Sequence, residues 1–325
     1  MLIVHRLTQG RLIGETLAPE AALPAEALWV DLDRPDPAEV AAIEARFGLS
    51  LPSEAEMGEI EVSNRLYDED GVLFMTAMIL SEADTPRPLS RAVTFILTPD
   101  CLVTLRHSEP RPFAAYARRL AADTTPPRSP EHILCGLWQA IIGRSADVVE
   151  RLQGEIETLG DTIFARAGEA RPVRPAEFRR MLAALGRANE LTARLQDSQF
   201  SLARVIGFPE QTAPERWSSD YRLMAHGLRR DVTALTEHTE FLAGKIAFLL
   251  DATLGMISVE QNAIIRILSV VATVLLPPTL IASVYGMNFT HMPELGWPLG
   301  YPLALALMVI SALGPYLFFK ARGWL

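Results

Sequence analysis

The sequence predicts an α+β domain followed by a long helical stalk and two C-terminal membrane-spanning helices. Three observations carry that reading. Residues 1–110 hold short apolar runs separated by turn-forming residues. From Glu131 the apolar residues recur at helical spacing. Between Arg266 and Lys320 the only formally charged residue is Glu294.

Residues 28–32 (LWVDL), 72–80, 93–97 (VTFIL) and 102–105 are compact apolar runs that read as strands. Pro35, Pro37, Asp70-Gly71 and Pro99-Asp100 bound them as turns. Residues 38–47 read as a helix between strands. This α/β region is assigned residues 1–130. Ile133, Leu137, Ala140, Ile141, Val148, Leu152, Ile156, Leu159 and Ile163 then recur at spacings of three, four and seven, as one face of a helix requires. A break at 171–175 and a turn at 208–214, through Pro209 and Pro214, bound a second helix over 177–206. Residues 131–214 thus form a helical hairpin. From Glu215 no proline occurs until Pro277, and Leu228, Val232, Leu242, Leu249 and Leu254 keep the helical rhythm. A helix of about 70 residues runs roughly 100 Å. That is too long for a globular core and suits a stalk, 215–265, that continues into a membrane.

Residues 267–284 and 299–319 are long enough, and apolar enough, to cross a hydrocarbon core of about 30 Å. Spans at 266–284 and 299–319 leave a loop at 285–298. Arg266 flanks one side, and Lys320 and Arg322 in the 320–325 tail flank the other. By the positive-inside rule both flanks are cytoplasmic and the loop is outside. Trp297, Tyr301, Tyr316 and Trp324 stand where interfacial aromatics belong. The opening residues, MLIVHRLTQGR, lack a signal peptide's apolar core, so a cytoplasmic N-terminus is expected; both termini are expected on the cytoplasmic side of the cell (inner) membrane.

The net charge of −9 argues against nucleic acid as a partner and suits a protein that gathers cations. Two cysteines, Cys101 and Cys135, without ligand spacing give neither a disulfide framework nor a zinc site. No HExxH, paired CxxC, Walker loop or Ser/His/Asp arrangement in motif context is present, so no enzyme and no catalytic cofactor is expected. The six histidines, His5, His107, His132, His226, His238 and His291, are scattered.

On the first span, Asn262, Ile265, Leu268, Ala272, Leu276, Thr279 and Ser283 share one face. That face either lines a polar path around an axis or packs closely against another helix. Val271, Val274, Leu275 and Ile281 lie on the other face, toward lipid or neighbouring helices. Pro277-Pro278 remove two donors and are expected to kink or loosen the helix. Beyond it, Gly286-Met287-Asn288 reads either as a helix end or as a ring of carboxamides that holds a hydrated cation. Magnesium sheds water reluctantly, which favours such outer-sphere recognition. Glu294 is either an anionic ring or an ordinary loop residue. Two spans cannot enclose a path alone, so conduction requires several copies.

Residues 285–295 read YGMNFTHMPEL. They follow the first span and precede the basic tail FFKARGWL. In that context the chain resembles the CorA family of magnesium transporters, most strongly over 231–325 and toward its enterobacterial-type branch. The resemblance implies a funnel-shaped homopentamer in the bilayer. It implies that Gly286, Met287 and Asn288 form the outer selectivity site, that Asn262 rings the cytosolic end, and that Leu268, Ala272, Leu276 and Thr279 line the path. It implies passive, potential-driven flow of Mg²⁺, with Co²⁺ and Ni²⁺ as further cargo. Cytosolic Mg²⁺ is also implied as a regulatory ion, bridging Asp231 to Glu82 or Asp84 between subunits. A related branch, ZntB, carries zinc. Zinc prefers His and Cys, and His291 is the only imidazole near the path. A membrane-anchored sensor or scaffold without conduction is the reading of another class.

Overall fold

The computed structural model describes residues 1–8, 11–18, 21, 23–24, 26–59, 61–85, 87–127, 129–167, 174–287 and 292–324. They fall into two compact units, residues 1–162 with 181–249 and residues 163–180 with 250–325.

The first unit is built on a seven-stranded sheet. Its strands are β1 (Leu2–Thr8), β2 (Arg11–Leu17), β3 (Ala27–Asp33), β4 (Leu66–Glu69), β5 (Val72–Ser81), β6 (Leu89–Leu97) and β7 (Leu102–Arg106), in the order β2-β1-β3-β7-β6-β5-β4. Among the described residues only β3 and β7 pair in parallel, with Trp29 opposite Leu102 and Asp33 opposite Arg106; the other pairings there are antiparallel. The hairpin between β4 and β5 closes through Asp70 and Gly71, both at positive φ, as a two-residue turn matched to strand twist requires. The Asp68 carboxylate accepts the Gly71 amide at 2.8 Å.

The four strands expected from sequence are present, each extended by a residue or more. β1, β2 and β4 are additions. β1 hides its strand character behind His5, which is buried and stacked on Trp29 with centroids 4.1 Å apart. Burial lowers the imidazole's pKa to about 4. Opposite it stands Gly14, where a Cβ would lie 2.6 Å from the ring. The strand glycine therefore makes room for a neighbour.

Helix α1 (Pro37–Phe47) begins at Asp36, which caps the amides of Ala38 and Glu39, and Glu39 returns the bond to Asp36. Gly48, at φ +67°, ends it. With α2 (Glu54–Met57) it covers one sheet face through Ile43 and Met57. The other face is covered by α3 (Arg111–Ala122), α4 (Pro130–Ala167), α5 (Pro175–Thr212) and α6 (Ser219–Tyr285), through residues such as Phe113, Trp138, Ile206 and Tyr221.

The expected turn at 208–214 moves. α5 runs through Pro209 to Thr212, and the chain breaks at Ala213. Pro209 sits in the last turn, where its missing donor frees a single carbonyl. Its own carbonyl accepts the Trp217 indole N–H at 2.8 Å. The expected break at 171–175 lies mostly outside the described residues.

Where β3 and β7 run side by side, their charged ends form a buried network. Asp31 and Arg106 are each about 95% buried and meet at 2.9 Å. Thr104 donates to Asp31 at 2.7 Å, Trp29 donates to Thr104 at 3.0 Å, and Arg106 also reaches Asp33 at 3.2 Å. Burial raises the Asp31 pKa, and the hydrogen bonds and charge of Arg106 oppose that rise. Removing one partner of such a pair leaves a buried charge uncompensated, at a cost of about 3–5 kcal/mol. Arg106→Met is accordingly expected to lower the thermal midpoint of the full chain in detergent, followed by scanning fluorimetry. Adding Asp31→Asn is expected to recover most of the loss. An unchanged midpoint in the single variant would remove this pair from the stability of the fold.

Candidate functional site: the exposed face of the first span

The second unit carries the C-terminal part of α6 and α7 (Gly300–Ala321). Their apolar stretches reach mean hydropathies of 2.1 and 1.9, yet only 6% of each is buried in the protein. A soluble core helix of that composition is mostly covered. Apolar helices this bare require a non-aqueous surrounding.

α6 is one uninterrupted helix of 67 residues. Pro277-Pro278 do not end it, and it continues to Tyr285. Between 261 and 287 the positions not fully exposed are Ala263, Val270, Val274, Pro277, Pro278, Ile281 and Tyr285. At about 100° per residue these lie within an arc of roughly 100°. The stripe Asn262, Ile265, Leu268, Ala272, Leu276, Thr279 and Ser283 is exposed throughout and centred roughly 180° away. Val274 and Ile281 thus fall on the covered face, as expected, whereas Val271 and Leu275 are exposed. On α7 the buried positions are small ones, Gly300 and Ala304, which allow close helix approach.

The hydroxyls of this span are already engaged. Ser269, Thr273, Thr279 and Ser283 donate to the carbonyls of Ile265, Ser269, Leu275 and Thr279, at 2.7–2.8 Å. Each hydroxyl has one proton. Thr279 and Ser283 therefore turn only acceptor lone pairs outward, a surface suited to a cation or the water around it.

α6 ends at Gly286, whose amide donates to Ala282 at 2.9 Å; Met287 donates to Val284 at 3.2 Å. A Cβ at Gly286 would stand 3.1 Å from the Ala282 carbonyl. Asn288 and His291 lie outside the described residues, as does the side chain of Glu294, whose backbone belongs to the 3-10 turn Pro293–Gly296.

The three candidate regulatory acids sit in two places. Asp231 is exposed on α6 and lines a cavity of about 440 Å³ with Tyr116, Asp123, His132 and Gly227. Glu82 and Asp84 occupy the turn between β5 and β6 and line another cavity. Asp231 and the Glu82–Asp84 turn thus line different cavities. Glu82 is exposed, at φ +54°, with no ion pair among the described residues. Asp84 is held by three guanidinium groups, those of Arg111, Arg144 and Arg151; Arg144 lies 2.8 Å away. Burial opposes ionisation of Asp84, but the hydrogen bonds and charges of Arg151 and Arg144 outweigh it and hold the pKa below the ordinary value. No sequence spacing announces this cluster, because the arginines stand 27 to 67 positions away on other elements.

Elsewhere, Ser129, His132 and Asp220 come together, with Ser129 Oγ 2.7 Å from His132 Nδ1 and Asp220 2.8 Å from Nε2. Ser129 also accepts the His132 amide, so it caps α4, and the histidine ties α4 to α6. Cys101 and Cys135 are buried and unpaired, and burial pushes both thiols up to about 12. Among the described residues no group of three or more His, Cys, Asp or Glu is placed to hold a metal ion.

Two bare apolar helices joined by a short loop, below an α/β unit in chain order, define a two-span integral membrane protein. A family model described as CorA-like Mg2+ transporter protein matches residues 24–321, and the chain belongs to that family. The magnesium transport protein CorA of Yersinia pseudotuberculosis serotype I (strain IP32953) is 36% identical over 303 residues, 93% of each chain. That of Escherichia coli (strain K12) is 32% identical, with 100% of each chain covered. The complete structure of the CorA magnesium transporter from Methanocaldococcus jannaschii superposes with a TM-score of 0.77 over 100% of this chain and 99% of that one, at 19% identity.

The Asp84 cluster gives a prediction with a definite sign. A depressed carboxyl pKa adds stability above the unfolded value, about 3.9, and that stability is lost as the pH falls through the lower folded value. Asp84→Asn is expected to speed amide hydrogen exchange in residues 82–85 at neutral pH, while the exchange of β5 stays unchanged. Unaltered exchange in that turn would show that the arginines do not hold it.

Proposed function

We propose that this chain is one subunit of a homopentameric channel that passes Mg²⁺ passively down its electrochemical gradient, with Co²⁺ and Ni²⁺ as lesser cargo. The observation that carries the reading is the exposed stripe from Asn262 to Ser283, set opposite the covered face of α6. Copies arranged around an axis place that stripe inward. Its acceptor-only hydroxyls and the Asn262 carboxamide then meet hydrated cations, and Leu268 and Leu276 form an apolar constriction.

Gly286, Met287 and Asn288 form the outer selectivity site, with Glu294 nearby as an anionic ring. An Asn carboxamide accepts hydrogen bonds from the water shell of the ion, so Mg²⁺ need not dehydrate to be recognised. Both termini face the cytoplasm of an inner membrane, since Arg266, Lys320 and Arg322 flank the spans. Two charges falling through 100 mV gain about 4.6 kcal/mol, so no ATP site is required.

Cytosolic Mg²⁺ closes the channel by binding between subunits, which shifts the population toward the closed state. Asp231 of one copy and Glu82 of the next are the better pair for that role. Asp84 is neutralised by its arginines.

Potential-driven Mg²⁺ entry into liposomes, read with an internal dye, is expected for the intact chain and lost in Asn288→Ala. Thr279→Val keeps the shape of the side chain, removes its acceptor, and is expected to slow entry without abolishing it. Zn²⁺ entry without Mg²⁺ entry would assign the chain to zinc transport. No flux of any ion from an assembled oligomer at low internal Mg²⁺ would overturn conduction.

A further inference from the structure

At the end of the spans away from Glu294, the structure gathers three cations. Arg266 lies on α6, Lys320 in the last turn of α7, and Arg322 caps that helix. The gathering follows from the C-terminal turn. Gly323 adopts φ +69° and donates to the Lys320 carbonyl at 3.1 Å, and Trp324 donates to Phe319 at 3.1 Å. This left-handed step folds Trp324 back until its ring stacks on Phe319, with centroids 5.3 Å apart. The indole also receives Arg266, whose guanidinium carbon lies 5.7 Å from the ring centroid. Arg322 lies 5.4 Å over Phe318 in the same way. Phe318 of α7 and Trp324 just beyond it thus hold one cation from α6 and one from the end of α7.

None of the three cations makes an ion pair among the described residues. From Gln261 to Trp324 the sequence has a single acid, Glu294, in the loop at the far end of the spans. Two guanidinium groups held on aromatic faces, with Lys320 two residues before Arg322 in the chain, offer forked donors to a tetrahedral oxyanion. The aromatic rings mark the boundary between hydrocarbon and water, where phosphate headgroups lie.

We propose that Arg266, Lys320 and Arg322 form a binding site for the phosphodiester headgroup of an anionic phospholipid, with Trp324 and Phe318 as its apolar floor. The lipid supplies counter-charge where residues 261–324 offer only the distant Glu294. It also tethers the end of α7 to the start of the membrane-crossing part of α6, across both helices. This inference uses only the membrane-spanning character of the two helices and is independent of which ion the protein carries.

The test reads lipid and not flux. The full chain in detergent is mixed with equal amounts of phosphatidylglycerol and phosphatidylcholine, and retained lipid is counted by native mass spectrometry. Selective retention of phosphatidylglycerol is expected. Its preference is expected to fall roughly tenfold or more when Arg266, Lys320 and Arg322 are all replaced by Gln. Trp324→Phe keeps the ring and the charges and is expected to retain the lipid. If the triple variant does not assemble, Arg322→Gln alone is read, with a smaller loss expected. Equal retention of the two lipids, or a preference unchanged by the charge-removing variants, overturns the proposal. Release of the bound lipid by excess inorganic phosphate would assign the site to a free anion and overturn the lipid as its occupant.

Discussion

The bilayer core offers no water to an unpaired amide or carbonyl, and that constraint shapes α6 more than any side-chain contact does. A helix satisfies its own backbone, so α6 runs unbroken from Ser219 to Tyr285. Pro277 and Pro278 are the exception it must absorb. They withdraw two donors, leaving the carbonyls of Thr273 and Val274 without their usual partners. The hydroxyls of the same span bond to neighbouring carbonyls one turn back. This leaves a segment apolar overall, with its polar atoms used sparingly and placed by helical period.

The α/β unit follows a different logic, because water is available to it. There the costly feature is charge carried inside. Asp31, Asp33 and Arg106 sit at the end of the single parallel strand pair, where two strands bring their C-terminal residues to the same level. The pair is tolerable because Thr104, Trp29 and the Ser108 carbonyl complete its hydrogen bonds. Asp84 shows the surface version of the same arrangement, with arginines from two helices converging on one turn.

Much of this was legible from local pattern. The spans, the long helix, the Asp70-Gly71 turn and the helix at 38–47 rest on signals within a few residues of each other. The membrane stripe was legible too, since helical period alone places Asn262 and Ser283 on one side. What was not legible depends on partners distant in sequence. β1 and β2 become recognisable as strands only when Trp29 covers His5 and Gly14 yields space. The shifted turn depends on Trp217 reaching the Pro209 carbonyl. Asp84 reads in sequence as a candidate ligand for a regulatory ion, and its three arginines come from α3 and α4. Asn288 and Glu294, the residues with the plainest motif, gain nothing from the fold because their side chains lie outside the described residues.

The exposed stripe on α6 also bears on how such a protein is made. Chains enter a membrane one at a time, and each newly inserted copy turns the oxygens of Thr279 and Ser283 toward lipid tails. Polar groups in hydrocarbon are unfavourable until something polar or wet faces them. A lone copy therefore carries a visible mark of incompleteness, and that mark disappears only when the stripe is enclosed.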